Sequence, residues 1–348
     1  MIQTYLFDSD LRTFIEQQAV DSLYYSEAWL DVITKIYGYS LIPLTTRNTD
    51  GRITGFLPLC YVQSPVTGRH LVALPFSDYC PLITEDEGSA NALVDQAIEI
   101  AQQKQVRYLE LRTGATDVLA KRSDLVRGEL YARWLTPLTT DPNVIWSSFK
   151  TTVRNKIRKS QKLGVRVRTA QCREDMVSYY RLHLRTRSKK HGMPAQPLNF
   201  FLGLWDAFAA TGALHLWLAE HEGTIISASI MLAFGKTTQF FYGASDERYL
   251  HMAANNLITW ETIVWSCRQG YKILDHGRTA YNNEGLMQFK RNWAAIEEPL
   301  PYYYYPHMMG LAATPESSWK YRLLTSCWRR LPLQVTGPLG SYLYRHLG

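Results

Sequence analysis

The feature that most constrains the fold of this chain is an order of elements used twice. Residues 10–37 place Leu11, Phe14, Ile15 and then Trp29, Ile33 and Ile36 at helix spacing, with Ser26 positioned to cap a second helix. Residues 41–45 and 53–62 read as paired strands about a turn at 48–51. Residues 69–74 read as another strand, followed by the loop PFSDYCP, then an amphipathic helix at 91–103 and a strand at 107–111. Displaced by 172 residues, Ala28-Trp29-Leu30 falls on Phe200-Phe201-Leu202, and Asp50-Gly51-Arg52-Ile53 falls on Glu222-Gly223-Thr224-Ile225. Displaced by 165, the helix at 91–103 falls on 256–268, and Tyr108-Leu109-Glu110 falls on Ile273-Leu274-Asp275. Helix and strand alternating within each copy give an α/β or α+β class. The expected organisation is a first domain over 1–143, a second over 144–308 and a basic amphipathic tail over 309–348, the halves meeting near Asp141-Pro142-Asn143.

The net charge of +7 is unevenly spread. Residues 147–192 hold fourteen Lys/Arg against the two acids Glu174 and Asp175, whereas the remainder holds 24 against 29. In WSSFKTTVRNKIRKSQKLGV, Arg154 and Arg158 stand four apart, as do Asn155 and Lys159, on adjacent stripes of one helix side. Phe149, Val153 and Ile157 form the apolar stripe, and Gly164 is a natural stop. Paired cations with no interleaved acid suit a polyanion, the alternative being a solvated face. Arg187, Lys189 and Lys190 extend the basic surface into a loop fixed by Gly192, Pro194 and Pro197, where His191 is either a base or a turn residue.

Five widely spaced cysteines without a C-x-x-C pair give neither a disulfide framework nor a zinc site and point to a reducing cytosol. The start, MIQTYLFDSDLRTF, lacks the basic and apolar regions of a signal peptide, and no apolar run reaches membrane-spanning length. The expected location is cytoplasmic, at most peripheral to a membrane. Phosphate loops, dinucleotide fingerprints, metal-ligand spacing and nucleophile elbows are absent from the sequence. In the tail, Trp319, Tyr321, Leu323, Leu324 and Trp328 stand among Lys320, Arg322, Arg329 and Arg330, a pattern that suits either an anionic lipid surface or a helix packed on its own domain.

Chemistry concentrates in YKILDHGRTAYNNEGLMQFKRNWAAIEEPLPYYYY, residues 271–305. A buried strand at Ile273-Leu274-Asp275 is expected to break at His276-Gly277. A polar loop from Arg278 to Gly285 follows, then ordered structure through Phe289-Lys290 and an aromatic strand at 302–305. Loops that leave a buried strand carry chemistry disproportionately. In PFSDYCP, Asp78 is either a general base or a cap for its own turn.

Four stretches in order, VRNKIRKSQKLGVRV, RSKKHGMPAQPLNFF, FFYGASDERYLHMAANNLITWE and LDHGRTAYNNEGLMQFKRNWAAIEEPLPYYY, resemble the Fem-type aminoacyltransferases. More closely they resemble the subgroup found with exopolysaccharide and exosortase systems, which the tail WRRLPLQVTGPLGSYLYRHLG also resembles. The resemblance implies two tandem acetyltransferase-like (GNAT) domains. It implies transfer of an aminoacyl or acyl group from a tRNA or another phosphate-bearing carrier to an amine of a peptidoglycan or exopolysaccharide precursor. An acyl-CoA donor is the alternative, and a non-enzymatic basic module a further one. No tightly bound cofactor is implied, only the donor as co-substrate. The family's FK pair falls on Phe289 and Lys290, the lysine being expected to hold the donor and developing charge, and its basic helix on Arg154, Asn155 and Arg158, to which the helix spacing adds Lys159. Its G-R-[ST] turn falls on Gly277, Arg278 and Thr279, and its Y-G-[AS] turn on Tyr242, Gly243 and Ala244. With Asp78 as candidate base, Asn282, Asn283, Arg187 and His191 complete the expected donor site. Two departures stand out: the long helical arm of larger members is missing, and Trp293-Ala294-Ala295 replaces their usual W-G. The nearest stretch to an acyl-CoA pyrophosphate loop, residues 248–253, has His251 where a glycine is required.

Overall fold

The structure, a computed structural model, describes residues 7–18, 22–308 and 319–346; side chains of residues 319–322 are outside this description. The chain divides into two compact units. The first comprises the described residues of 1–132, 299–308 and 345–346, and the second comprises 133–298 and those of 316–344. The chain therefore enters the second unit at Arg133, ahead of the expected meeting point near 143. It returns to the first at Pro299, so the aromatic strand lies with the N-terminal half. The expected tail boundary at 309 lies outside the described residues.

In the first unit, α1 (Ser9–Gln17) and α2 (Glu27–Tyr37) are separate helices, as the Ser26 cap implies, with a 3₁₀ turn at Leu23–Tyr25 between them. Each start is capped as its residues dictate: Asp8 accepts from Leu11 N, and Ser26 from Trp29 N. β1 (Ser40–Arg47), β2 (Ile53–Ser64) and β3 (Gly68–Val72) pair antiparallel in turn, and the short β4 (Ile83–Thr84) also pairs with β2. The first hairpin turns at Asn48, whose Oδ1 accepts from Asp50 N and Arg52 N. α3 (Glu87–Gln103) crosses over to β5 (Tyr108–Leu111), which pairs parallel with β3 over His70/Tyr108, Leu71/Leu109 and Val72/Glu110. α4 (Asp117–Ala120) and β6 (Val126–Pro137) follow.

The second unit repeats this plan. α5 (Pro142–Ser148), α6 (Thr151–Lys162), β7 (Arg166–Thr169), α7 (Arg173–Arg185) and α8 (Leu198–Phe208) lead into three strands. These are β8 (Leu214–His221), β9 (Thr224–Phe234) and β10 (Thr237–Ser245), antiparallel in turn, with β7 on the outer edge of β8. α9 (Ala254–Arg268) crosses over to β11 (Ile273–Ala280), parallel to β10, and α10 (Glu284–Asn292) follows, after which β12 (Ile296–Tyr305) leaves this unit at Pro299. The sheet order here is β6-β11-β10-β9-β8-β7. α9 is buried at Leu257, Ile258, Thr262 and Ile263 and packs with α6 under the strands. The core closes on Phe149, Trp293, Ile157 and Leu274, with Phe149 and Trp293 edge to face at 4.9 Å. Two further helices, α11 (Trp319–Arg330) and α12 (Leu333–Tyr344), pack against this unit. Among the described residues no helix is long and apolar enough to cross a membrane.

α10 ends in an unusual way. Ala294 N donates to Arg291 O at 3.1 Å and Ala295 N to Lys290 O at 3.4 Å, the paired bonds of a Schellman stop. That stop needs a left-handed residue after the helix, and Ala294 supplies it at φ +56°. An alanine there bears the steric cost that glycine avoids, of order 1–2 kcal/mol, against about 0.4–1 kcal/mol of extra unfolded-chain entropy for glycine. Ala294→Gly should therefore raise stability by up to about 1 kcal/mol in a urea titration, and Ala294→Val should lower it. A clear loss of stability in the glycine variant would refute the strain at this stop.

Candidate active site

The site is built where β10 and β11 part company. Their parallel ladder holds for three pairs only: Thr237/Ile273, Thr238/Leu274 and Gln239/Asp275. Each strand then bends. On β10 the register against β9 shifts between Phe240 and Tyr242, leaving Phe241 as an extra residue. On β11, two residues past the last pair, Gly277 takes φ +72°, a conformation a side chain would oppose. Neither strand ends there; β10 runs to Ser245 and β11 to Ala280. The break expected at His276-Gly277 is thus a bend within a continuing strand, and residues 278–280, expected as loop, are strand.

Three side chains hold the bend. Asp275, 3% exposed, accepts from Gly277 N through Oδ1 at 2.8 Å and pairs with Arg133 Nε through Oδ2 at 2.8 Å. Lys290 reaches across from α10 and donates to Gly277 O at 2.8 Å and Arg278 O at 3.2 Å. Its side chain is 4% exposed. Lys290 is thus a buried cation satisfied by carbonyls, and its removal carries a cost to the fold. Its partner in the FK pair, Phe289, is half-buried against Trp293 at 6.2 Å and belongs to the core edge. His276, also buried, places Nε2 2.9 Å from Thr136 Oγ1. Burial, with the Lys290 charge adding to it, pushes this imidazole down to about 3. Thr279 is buried with no hydrogen-bond partner for Oγ1, a polar atom left unsatisfied on the strand beyond the split.

The β10 side is set by a hydrogen-bond relay that sequence reading did not find. Tyr179 donates to His183 Nδ1 at 3.2 Å, His183 Nε2 lies 2.8 Å from Gln196 Oε1, and Gln196 Nε2 donates to Tyr242 Oη at 2.7 Å. Phe200, Phe201 and Phe241 surround the Tyr242 ring. Burial holds His183 near 3, so the ring stays neutral, and because Gln196 Oε1 can only accept, Nε2 donates to it and Nδ1 is left to accept from Tyr179. Gly243 follows Tyr242 on the strand and faces Ser229. Histidine at 183 sits in a helical run of mixed character, and only the fold brings Gln196 beside it.

The basic helix is where the sequence placed it, with Val153 and Ile157 inward and Gly164 at φ +74° after its last turn. Phe149, assigned to its apolar stripe, lies outside the helix as the C-cap of α5, although buried. Asn155, Arg158 and Lys159 are exposed, and the Arg158 guanidinium stacks over Trp146 at 5.5 Å. Arg154 is half-buried and bonded to Thr151 Oγ1. Elsewhere in the basic segment Arg168 is paired with Asp175 and Glu220, and Arg173 with Asp206. Among the described residues no carboxylate pairs with the cations of α6. The helix is tied to α10 at its start, since Lys150 N donates to Asn292 O at 3.2 Å. The structure thus brings α6, Phe289, Lys290 and the β11 turn together.

Other expected residues have local duties. Asn283 caps α10 by accepting from Leu286 N, while Asn282 is exposed beside it. Arg187 donates to Pro194 O inside a π-helical turn over Thr186–His191. His191 on the same turn is lowered to about 4 by partial burial and by Arg187, Lys190 and Arg329. In the first unit Asp78 lies on a braced loop. Leu74 and Phe76 take φ +53° and +65°, Arg112 donates to the carbonyls of Leu74 and Ser77, and Tyr302 donates to Asp78 O at 2.6 Å. Residues 248–253, the nearest match to a pyrophosphate loop, form a 3₁₀ turn over Glu247–Met252 in which Arg248 is committed to Asp246. Among the described residues no group of three or more His, Cys, Asp or Glu is arranged to hold a metal ion.

Two outcomes follow from the bend. Lys290→Met should lower stability by about 1–3 kcal/mol in urea, because two buried carbonyls lose their donor. An unchanged midpoint would remove Lys290 as the brace. His276 and His183 are neutral in the folded chain down to about 3, while the unfolded chain protonates near 6.5. The unfolded state binds more protons between these values, so stability is full above pH 6.5 and falls as pH drops toward 3. The slope is on the order of 1 kcal/mol per pH unit for each histidine, and His276→Gln should flatten its share of it in urea titrations across pH. An unaltered slope would mean that His276 titrates normally in the folded protein.

A family model described as an acetyltransferase (GNAT) domain matches residues 147–291. A UDP-N-acetylmuramoylpentapeptide-lysine N(6)-alanyltransferase from Weissella viridescens is 23% identical over 139 residues, 39% of this chain. The match spans 40% of that relative's length. The crystal structure of FemX superposes with a TM-score of 0.67 at 16% identity, over 87% of this chain and 97% of that one. A tandem GNAT protein from the clavulanic acid biosynthesis pathway superposes at 0.52 and 13% identity, over 85% and 92%. The fold is therefore mixed α/β with tandem GNAT-like domains and C-terminal helices.

Proposed function

We propose that this chain is an aminoacyltransferase that moves an aminoacyl group from a tRNA ester to an amine of a cell-envelope precursor. The observation that carries the reading is the unpaired basic face of α6, whose start is tied through Lys150 N and Asn292 O to α10, the helix whose Lys290 braces β11 beyond its split from β10. A polyanionic carrier on α6 would have its acyl end delivered to bent strands whose geometry is fixed in advance. The likeness to an alanyltransferase acting on a muramoylpentapeptide lysine supports an amine acceptor of envelope chemistry. The narrower kinship with the exopolysaccharide- and exosortase-associated subgroup belongs to the same proposal. So does a cytoplasmic location with peripheral contact at the inner membrane face.

The reaction is aminolysis of an ester. The acceptor nitrogen attacks the ester carbonyl, the tetrahedral intermediate collapses, and the ribose hydroxyl leaves with a proton that the amine has lost. Asn155, Arg158 and Lys159 would hold donor phosphates, with Arg187 extending that surface. Gly277, Arg278, Thr279, Tyr242 and Gly243 would line the acyl end. Lys290 acts in this reading through the strand: it fixes the Gly277 and Arg278 peptides and places positive charge behind them, where an oxyanion develops.

An acyl-CoA donor is the second reading, favoured by the GNAT domain match over 147–291. Arg158→Ala combined with Lys159→Ala separates the two. With charged tRNA as the probe, the double substitution should weaken binding and flatten its salt dependence. The log–log slope should fall by roughly 0.7–0.9 for each phosphate the helix no longer neutralises. Saturable CoA binding with an unchanged tRNA slope would overturn the tRNA reading.

A further inference from the structure

Helix α12 is packed inside out. Its buried positions are Thr336 and Gly340, and Gly337 and Ser341 share their face at helix spacing. The small residues let the backbone approach closely: a Cβ on Gly340 would lie 3.1 Å from Ala195 N, and one on Gly337 would lie 3.6 Å from the Leu184 side chain. Val335, Pro338, Leu339 and Tyr342, at spacing i, i+3, i+4 and i+7, point outward instead. Val335 is 45% exposed, Leu339 39% and Tyr342 53%; on α11, Leu323 is 55% and Leu324 70% exposed. An isolated exposed leucine is ordinary, but a helix that buries its small residues and presents its apolar stripe is not.

Charge identifies the occupant. Residues 317–348 contain Lys320, Arg322, Arg329, Arg330 and Arg345 and no Asp or Glu. Arg329 and Arg330 are exposed at the end of α11, beside the turn into α12. Lys189 is spent on holding that turn, donating to Arg329 O at 3.0 Å and Leu331 O at 2.6 Å, so the two helices are fixed as a pair. An apolar stripe on helices whose own sequence holds cations and no acid matches a surface of acyl chains under anionic headgroups.

We propose that α11 and α12 form a docking surface for the anionic face of a lipid bilayer, with Val335, Leu339 and Tyr342 entering the headgroup boundary and Arg329 and Arg330 meeting its charge. This rests on the part of the functional reading that puts the protein at a membrane, and not on the transfer reaction. The test is flotation of the full chain with phosphatidylcholine vesicles made with and without phosphatidylglycerol, across a salt series. Binding is expected only with the anionic lipid and should weaken with salt. Leu339→Ser with Tyr342→Ser should reduce it by about tenfold or more, since each buried apolar side chain contributes to the interfacial term. Arg329→Gln with Arg330→Gln should reduce both binding and salt dependence while leaving the thermal melt unchanged. Failure to float, or flotation unaffected by both double variants, would overturn the proposal. Self-association abolished by Leu339→Ser with Tyr342→Ser, without vesicle binding, would also overturn it and assign the stripe to a second copy. Binding of charged tRNA in solution, measured on the same variants, should be unaltered. Its absence in the unmodified protein would count against the donor reading alone.

Discussion

The geometry of the second unit depends on one buried arrangement of charge, in which a carboxylate and an ammonium act on the same residue from opposite ends. Asp275 takes the N–H of Gly277 and Lys290 takes its carbonyl. Between them they stabilise a left-handed residue in the middle of a strand, where ladder pairing would otherwise favour a straight course. Both charges are almost fully desolvated and both are compensated, Asp275 by Arg133 and Lys290 by two carbonyls. Everything attributed to the site follows from that bend: the end of the ladder, the orphaned hydroxyl of Thr279, and the neutral state of His276 beside a permanent cation.

Much of this was legible from one sequence because the signals were local. Helix periodicity, the Ser26 cap, the Asn48 turn and the Gly164 stop each involve residues within a few positions of one another, and each appears as expected. The twofold order was visible because both copies retain the same spacing of apolar runs: β1-β2-β3-β5 and β8-β9-β10-β11 share the same sequence of antiparallel, antiparallel and parallel pairings. The basic helix could be read because an absence of acids over a long stretch needs no tertiary information.

What escaped was long-range. Nothing near Lys290 in sequence says that its ammonium is buried, since the apolar residues Met287 and Phe289 of α10 account for its inward face on their own. The partner of Asp275 is 142 residues away, that of His276 is 140, and the Gln196–Tyr242 bond spans 46. In W-A-A an alanine stands where glycine would leave the backbone freer. The structure adds that the freedom is still demanded of Ala294.

The two copies differ in how they satisfy the carboxylate at the third parallel pair. Glu110 is neutralised by Arg112, two residues along its own chain, at 2.6 Å. Asp275 must wait for Arg133, which the chain supplies more than a hundred residues earlier. An ion pair of that sequence separation closes only after the intervening elements have folded, because the loop entropy has to be met first. The bond from Asp275 to Gly277 N is local, but the charge that neutralises this carboxylate arrives only when β6 is folded beside β11. The corresponding carboxylate of the first copy carries its own counter-charge wherever its strand forms.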